Sequence, residues 1–327
     1  MKNLKFILKC ILALFPIIAT VVYTALVPFG YMDSQYPEWK YTKDMVKKDT
    51  SAAGQPANTI IIGDSRAMAD LIPEGIDDSS VNLAVGGATS IEMYYTLKHY
   101  IENNGAPEKI IVMFAPFHYS IIDNYMIRTE YFNYLSIADS IDLINAAKAC
   151  NSETVIYEGY VNDLLSYRFR FPDKYLPAII NAKGISRYGV NSGLYSDLCN
   201  NRGYGEFGTA DGCSDLNYET NYEIMHTTGD ATLVQLYMGK ILKLISDEGI
   251  NACVLIPPMN EASFNVLKPS YVDDFTDYLY ELSNRYPSIS FEHEIPCYDN
   301  AYFGDSSHLN HKGAEVFTAE IKEKYFK

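Results

Sequence analysis

Short apolar runs alternate with amphipathic stretches along most of the chain. Four of the runs are each followed directly by glycine or proline, which is typical of buried strands that end in a turn: 58–62, 81–85, 109–115 and 250–256. A fifth strand is predicted at 288–291. Helices are predicted at 89–102, 230–244, 271–285 and 312–325. This alternation favours an α/β fold with three α/β/α layers, in which helices cover both faces of a parallel sheet.

A long segment between the third and fourth strands is not needed for this pattern. The residue pattern of this segment predicts helices at 136–149 and 157–171, and the part from 184 to 217 is rich in loop residues. Because connections inside compact domains are usually short, we interpret residues from about 117 to 226 as an inserted cap or lid. The domain that carries it is predicted to span 57–327.

The N-terminus predicts a membrane element. Residues 10–29 contain no charged side chain, a length that spans a bilayer core, and Lys2, Lys5 and Lys9 precede them. We interpret 1–30 as an uncleaved signal anchor in a cell membrane, with the domain outside the cytoplasm. The alternative is a cleaved signal peptide. Residues 31–56 mix charges with Ser, Gly and Pro and are interpreted as a linker.

Composition narrows the partners. The 327 residues carry a net charge of −15, which disfavours binding to nucleic acid. The six cysteines include no C-x-x-C pair, and no cluster of histidines accompanies them, so neither a metal nor another cofactor is expected. Cys199 and Cys213 flank a loop rich in Gly, Asn and Asp, and we hypothesise that they form a disulfide outside the cytoplasm.

Two segments carry candidate chemistry. Ser65 follows the first strand and Gly63, where a strand passes into a helix, so its hydroxyl is expected to be exposed. Taken alone, this stretch favours a serine that caps the helix, and the rest of the chain decides between the two interpretations. Asp305 and His308 lie in one loop before the last helix, and a serine nucleophile needs such a base and carboxylate. The N–H groups of Ser65 and of a glycine after the second strand are candidate oxyanion donors.

Three motifs then resemble blocks I, II and V of the SGNH/GDSL hydrolases, in the same order. They are Gly63-Asp64-Ser65, the segment Asn82-Leu83-Ala84-Val85-Gly86-Gly87-Ala88-Thr89, and Asp305-Ser306-Ser307-His308 with the residues up to Ala314. The resemblance covers about 57–115 and 227–325. It implies a five-stranded flavodoxin-like sheet, with Ser65 as nucleophile, His308 as general base and Asp305 as the residue that orients it. It also implies Gly87 as an oxyanion donor.

The third block departs from the family's pattern. Its Gly-x-Asn-Asp is expected after the third strand, where this chain has Phe114-Ala115-Pro116-Phe117-His118-Tyr119. The asparagine that completes the oxyanion hole is therefore missing. The anchor, the insertion and this departure are similar to the membrane-anchored branch that handles acyl groups on cell-envelope polymers. The D-alanyl-transfer protein of teichoic-acid synthesis and the alginate-type O-acetyltransferases lie near that branch.

Four neighbouring residues have less specific interpretations. His118 is either a donor to substrate or oxyanion, or a buried histidine bonded to backbone. Asp64 is interpreted as structural, Arg66 as the partner of an acidic residue, and His311 as a cap of the last helix.

Two function classes fit the sequence. One is an extracytoplasmic serine-dependent ester hydrolase or O-acyltransferase that acts on an acylated glycan or lipid, with a membrane-bound acyltransferase as a possible partner. The other is a catalytically silent binding or assembly subunit on the same fold. An intact set of Ser65, His308 and Asp305 favours the enzyme.

Overall fold

The computed structural model describes residues 2–26, 33–49, 55–123, 125–156, 180, 183, 186–225 and 228–326. The α-helices of this part of the chain are α1 (Lys2–Leu26), α2 (Tyr36–Lys47), α3 (Ser65–Asp70), α4 (Pro73–Ile76), α5 (Ser90–Asn104), α6 (Ile137–Cys150), α7 (Ser186–Asn200), α8 (Gly229–Asp247), α9 (Glu261–Phe264), α10 (Pro269–Arg285) and α11 (His311–Tyr325). The strands are β1 (Thr59–Gly63), β2 (Ser80–Asn82), β3 (Lys109–Met113), β4 (Asn251–Leu255), β5 (Met259–Asn260), β6 (Ser290–Phe291) and β7 (Cys297–Tyr298).

A five-stranded parallel sheet forms the centre of the fold, which confirms the predicted α/β class. Its strand order is β2-β1-β3-β4-β6, and every neighbouring pair is parallel. β1 lies between β2 and β3, and its Ile60, Ile61 and Ile62 are fully buried. The chain reverses its winding beside β1, so the crevice at the carboxyl ends of β1 and β3 is the place where open sheets bind ligands. A separate short parallel pair, β5 and β7, was not predicted.

Part of the stretch predicted as a linker is instead a packed helix. α2 buries Trp39, which is 1% exposed and meets the ring of Tyr134 edge-on at 4.9 Å. The helix packs against α5 and α7. The charged residues between its apolar positions concealed this periodicity in the sequence, and the folded chain uses the apolar side as core.

The insertion also contains more helix than predicted. The stretch from 184 to 217 was predicted as loop, but Ser186–Asn200 forms α7. The helix predicted at 136–149 is confirmed as Ile137–Cys150, whereas the one predicted at 157–171 lies outside the described residues. α6 contributes Leu143 and Ile144 to a second apolar cluster shared with α5 and α8. The described part of the insertion therefore packs on the main domain, where α6 contacts α5 and α8.

Two further expectations concern the N-terminus and the cysteines. No helix within the described ranges has both the length and the apolarity needed to cross a membrane. The anchor proposed at 10–29 stays a prediction from sequence.

The disulfide hypothesis is wrong for this structure, because all six cysteines, including Cys199 and Cys213, are free thiols.

Candidate active site

The serine lies in a turn whose shape depends on glycine. β1 ends at Gly63, where a Cβ atom would lie only 1.8 Å from the carbonyl oxygen of Met113 on β3. No larger residue fits there without moving the strand. Asp64 then caps α3, since its carboxylate accepts a 2.9 Å hydrogen bond from the Arg66 N–H. Ser65 is therefore the first helical residue and not the cap, and its N–H lies at the positive end of a short helix.

Ser65, His308 and Asp305 form one hydrogen-bonded series. The Ser65 Oγ lies 2.8 Å from the His308 Nε2, and the His308 Nδ1 lies 2.8 Å from the Asp305 Oδ2. Each outer residue thus contacts a different ring nitrogen, so the carboxylate fixes the tautomer that leaves Nε2 free to accept a proton. The structure brings together the three residues that the sequence assigned to this chemistry.

The Asp305 carboxylate is held in its ionised form. Burial raises its pKa, but the hydrogen bond and charge of His308, with the N–H groups of Ser307 and His308, lower the pKa to about 2. Both N–H groups donate to Asp305 Oδ1 at 2.8 Å. At neutral pH the carboxylate is therefore charged and able to stabilise a protonated imidazole.

The loop that carries Asp305 and His308 is fixed from two sides. Its Leu309 N–H donates to the buried Asp70 carboxylate of α3 at 2.9 Å. From the insertion, the Ala210 N–H donates to the Gly304 carbonyl at 3.3 Å. At Gly208 a Cβ atom would lie only 2.3 Å from the Gly304 backbone. The insertion and the loop thus pack backbone against backbone.

An aromatic residue of the insertion covers the imidazole. The Phe207 ring stacks on the His308 ring, with centroids 4.8 Å apart and an angle of 21° between the planes. Phe207 is 41% exposed, so one part of the ring faces His308 and another part faces solvent. Its edge also approaches Gly86, since a Cβ atom placed there would lie 3.2 Å from the Phe207 Cζ.

The turn after β2 is clamped at the peptide groups of Gly86. The Gly86 N–H donates to Glu38 Oε2 of α2 at 3.0 Å, and Arg128 Nη1 donates to the Gly86 carbonyl at 2.7 Å. The next residue, Gly87, has a φ of 72°, in the left-handed region that glycine adopts without strain. Within the described residues the Gly87 N–H has no hydrogen-bond acceptor. This donor therefore remains available for a ligand.

The Glu38 carboxyl is unusual for an acidic side chain. It is 7% exposed, and burial raises its pKa to about 7, although the Gly86 N–H and the charge of Arg128 act in the opposite direction. Neither Glu38 nor Arg128 was identified from the sequence, because one lies in the stretch predicted as a linker and the other in the insertion. No local signal marks either residue as a neighbour of Ser65.

Beneath the serine turn lies a buried pair, His118 and Asp64. The His118 Nδ1 lies 2.5 Å from Asp64 Oδ2, which also accepts the Ala115 N–H at 2.7 Å. The His118 Nε2 is buried 3.9 Å from Asp123 Oδ2, too far for a hydrogen bond. Asp64 thus ties the ends of β1 and β3 together, in keeping with a structural role. Both ring nitrogens of His118 face carboxylates, and its anchor is a side chain, not the backbone.

Opposing effects set the pKa values of this pair. Burial lowers the pKa of His118, but the carboxylates of Asp123 and Asp64 raise it to about 9. Burial raises the pKa of Asp64, but the hydrogen bond and charge of His118 bring it below the ordinary value. At neutral pH the pair is therefore an imidazolium and a carboxylate.

A buried ion pair joins the serine helix to the insertion. Arg66 Nη2 lies 2.8 Å from Glu219 Oε2, with the two side chains 3% and 0% exposed. Arg66 thus pairs with an acidic residue, as the sequence suggested, although Glu219 was not foreseen as the partner. His311 does not cap the last helix, because the Asn310 side chain accepts the Gly313 N–H at 3.0 Å.

Fold and site together define an α/β protein with a serine, a histidine and an aspartate in hydrogen-bonded series at the carboxyl edge of a parallel sheet. A comparison of the chain with protein-family models, with curated proteins and with solved structures finds no match.

Proposed function

We propose that this protein is a serine-dependent acyl-ester hydrolase or O-acyltransferase. The observation that carries the proposal is the series from the Ser65 Oγ through the His308 ring to Asp305, with both links at 2.8 Å. Three motifs also resemble those of the SGNH/GDSL hydrolases, and the strand order fits the flavodoxin-like sheet that this resemblance implies. Both observations support the same chemistry.

The first half-reaction follows from these contacts. The Ser65 Oγ attacks the acyl carbon while the His308 Nε2 takes the hydroxyl proton. The negative charge that develops on the carbonyl oxygen is stabilised by the N–H groups of Ser65 and Gly87. The ester C–O bond then breaks, and the departing alkoxide takes the proton from His308. The acyl group remains on Ser65, and Asp305 stabilises the imidazolium in between.

The second half-reaction decides between hydrolysis and transfer. A water molecule or an acceptor alcohol loses its proton to the His308 Nε2 and attacks the acyl carbon. Ser65 then recovers the proton as it leaves. Water gives a hydrolase, and a hydroxyl group of a glycan or lipid gives an O-acyltransferase.

The expected setting rests on the sequence alone. The substrate class is an acylated glycan or lipid of the cell envelope, and the anchor at 10–29 would hold the domain outside the cytoplasm. Protease added to intact spheroplasts should then digest the domain, and full protection of the domain would contradict this topology.

A fluorophosphonate probe tests the proposal directly. The full-length protein should be labelled at Ser65, because such probes react with serines activated by a base. The Ser65→Ala variant should lose labelling, whereas Ser306→Ala, a change in the loop of His308, should keep it. Wild-type protein that stays unlabelled and does not turn over 4-nitrophenyl acetate would instead indicate the catalytically silent subunit.

A further inference from the structure

A cavity of about 340 Å³ opens beside the reactive residues. It lies between the start of α2, the end of α7 and the segment 204–207. This volume lies within the range of small-molecule sites, roughly 300–1,000 Å³. A small acyl group such as acetyl does not need so large a space.

The cavity reaches the reactive residues through two of its lining side chains. Phe207 lines it and stacks on the His308 ring at 4.8 Å. Glu38 lines it and holds the Gly86 N–H at 3.0 Å. A ligand in the cavity would therefore lie one side chain away from both the base and the turn that carries Gly87.

The lining is acidic and rich in hydrogen-bond acceptors. No lysine, arginine or histidine of the described residues lines the cavity. Beside apolar side chains such as Leu194 and Phe207, its polar side chains are Ser34, Gln35, Glu38, Asp197, Asn201, Tyr204 and Glu206. Such a lining suits hydroxyl groups and repels anions.

Glu38 adds an independent indication of a ligand. The side chain is nine-tenths buried, and its Oε2 is bonded to the Gly86 N–H. Within the described residues its Oε1 has no hydrogen-bond partner, although the carboxyl group lines the cavity. This oxygen is therefore an acceptor that a hydroxyl group in the cavity can complete.

The chemistry of acyl transfer indicates which part of the ester lies there. The protonated base delivers its proton to the leaving oxygen, so the alcohol part lies on the side of His308. Phe207 contacts the His308 ring and also lines the cavity. We propose that the cavity binds the alcohol part of the ester, an uncharged and hydroxyl-rich group such as a sugar ring, and disfavours anionic sugars. This inference rests on the proposed function.

Binding of intact ester to the full-length Ser65→Ala protein tests the assignment without turnover. The ligands are a mono-acetylated methyl glucoside and the corresponding methyl glucuronide, compared by isothermal titration calorimetry. The glucoside should bind about tenfold more tightly, because only the glucuronide carries a negative charge. Equal or tighter binding of the glucuronide would overturn the proposal.

Two further variants locate the binding. Leu194 lines the rim of the cavity and is 43% exposed, so Leu194→Trp should fill the space without disturbing the fold. It should weaken glucoside binding about tenfold, while Leu236→Trp, at a similarly exposed leucine of α8, should not. Asp197→Lys should reduce the preference against the glucuronide about threefold. Unchanged binding in Leu194→Trp or an unchanged preference in Asp197→Lys would place the sugar elsewhere.

Turnover of 4-nitrophenyl acetate separates the two hypotheses. This ester has a small aromatic alcohol and reports on Ser65 and His308 with little demand on the cavity. Loss of its turnover in Ser65→Ala, together with failed sugar binding, would remove the cavity assignment and leave the enzyme proposal in place. Equal turnover by wild type and Ser65→Ala would remove the enzyme proposal and with it the inference that depends on it.

Discussion

Replacement of His118 by glutamine should change how the stability of this protein depends on pH. The imidazole is 4% exposed and lies between Asp64, at 2.5 Å, and Asp123, at 3.9 Å. These carboxylates outweigh the effect of burial and raise its pKa to about 9. In His118→Gln the side chain can keep one hydrogen bond to Asp64 but cannot carry the charge.

The magnitude follows from linkage between protonation and folding. A rise from the ordinary value of 6.5 to about 9 corresponds to about 3 kcal/mol, at about 1.36 kcal/mol per pKa unit. Because the folded state binds this proton more tightly, the contribution is fully present below pH 6.5 and is lost as the pH rises through about 9. The pKa of Glu38 is raised from 4.5 to about 7. Its contribution to stability is therefore present below pH 4.5 and is lost as the pH rises through about 7.

Urea unfolding at several pH values measures this dependence. Fluorescence of Trp39, the single and buried tryptophan, reports the transition. The free energy of unfolding of the wild type should fall by about 3 kcal/mol between about pH 6.5 and 9.5. The range stops there because tyrosine ordinarily ionises near pH 10.

The variant and its control separate His118 from other titrating groups. His118→Gln should lose most of this decrease, while His311→Gln, at an exposed histidine of α11, should keep it. Parallel curves for His118→Gln and the wild type would refute the reasoning, because the pKa of His118 would then not be raised in the folded state.

Three other changes test the site and its supports. Ser65→Ala and His308→Ala should each lower kcat for 4-nitrophenyl acetate on the order of 10⁶-fold, and the double variant little more; losses that multiply would contradict a cooperating pair. Glu219→Gln removes the carboxylate that pairs with the buried Arg66, and should cost about 3–5 kcal/mol in urea unfolding, against no change if the pair is dispensable. Gly208→Ala should displace the loop of His308 and lower kcat about 10²-fold; wild-type kcat would show that this contact does not position the loop.

The strands were predictable where one local pattern determined them. The run that became β1 is apolar and ends at Gly63, and β3 has the same form and ends before Pro116. α2 and α7 were not predictable in the same way. α7 contains Gly189 and Gly193, both unfavourable within a helix, so its helicity depends on packing that the local sequence does not encode.

The residues of the site also differ in whether the local sequence identifies them. Ser65, Asp305 and His308 were identifiable because each lies in a motif whose neighbours are adjacent in sequence. Glu38 and Phe207 were not, since they reach the site from segments far from those motifs. The packing of α2 against α5 and α7, and of the insertion against the loop of His308, brings them there.

This chain has no asparagine directly after β3, where the SGNH/GDSL pattern that its motifs resemble has one. After β3 the Ala115 N–H and the His118 Nδ1 are both bonded to Asp64, and the buried His118 Nε2 faces Asp123 at 3.9 Å. Under the proposed function, stabilisation of the oxyanion then depends on the N–H groups of Ser65 and Gly87. Donors stabilise a developing charge only when they are already oriented. The clamp on the Gly86 peptide groups supplies that orientation for Gly87, and it comes from segments outside the motifs that resemble the SGNH/GDSL family.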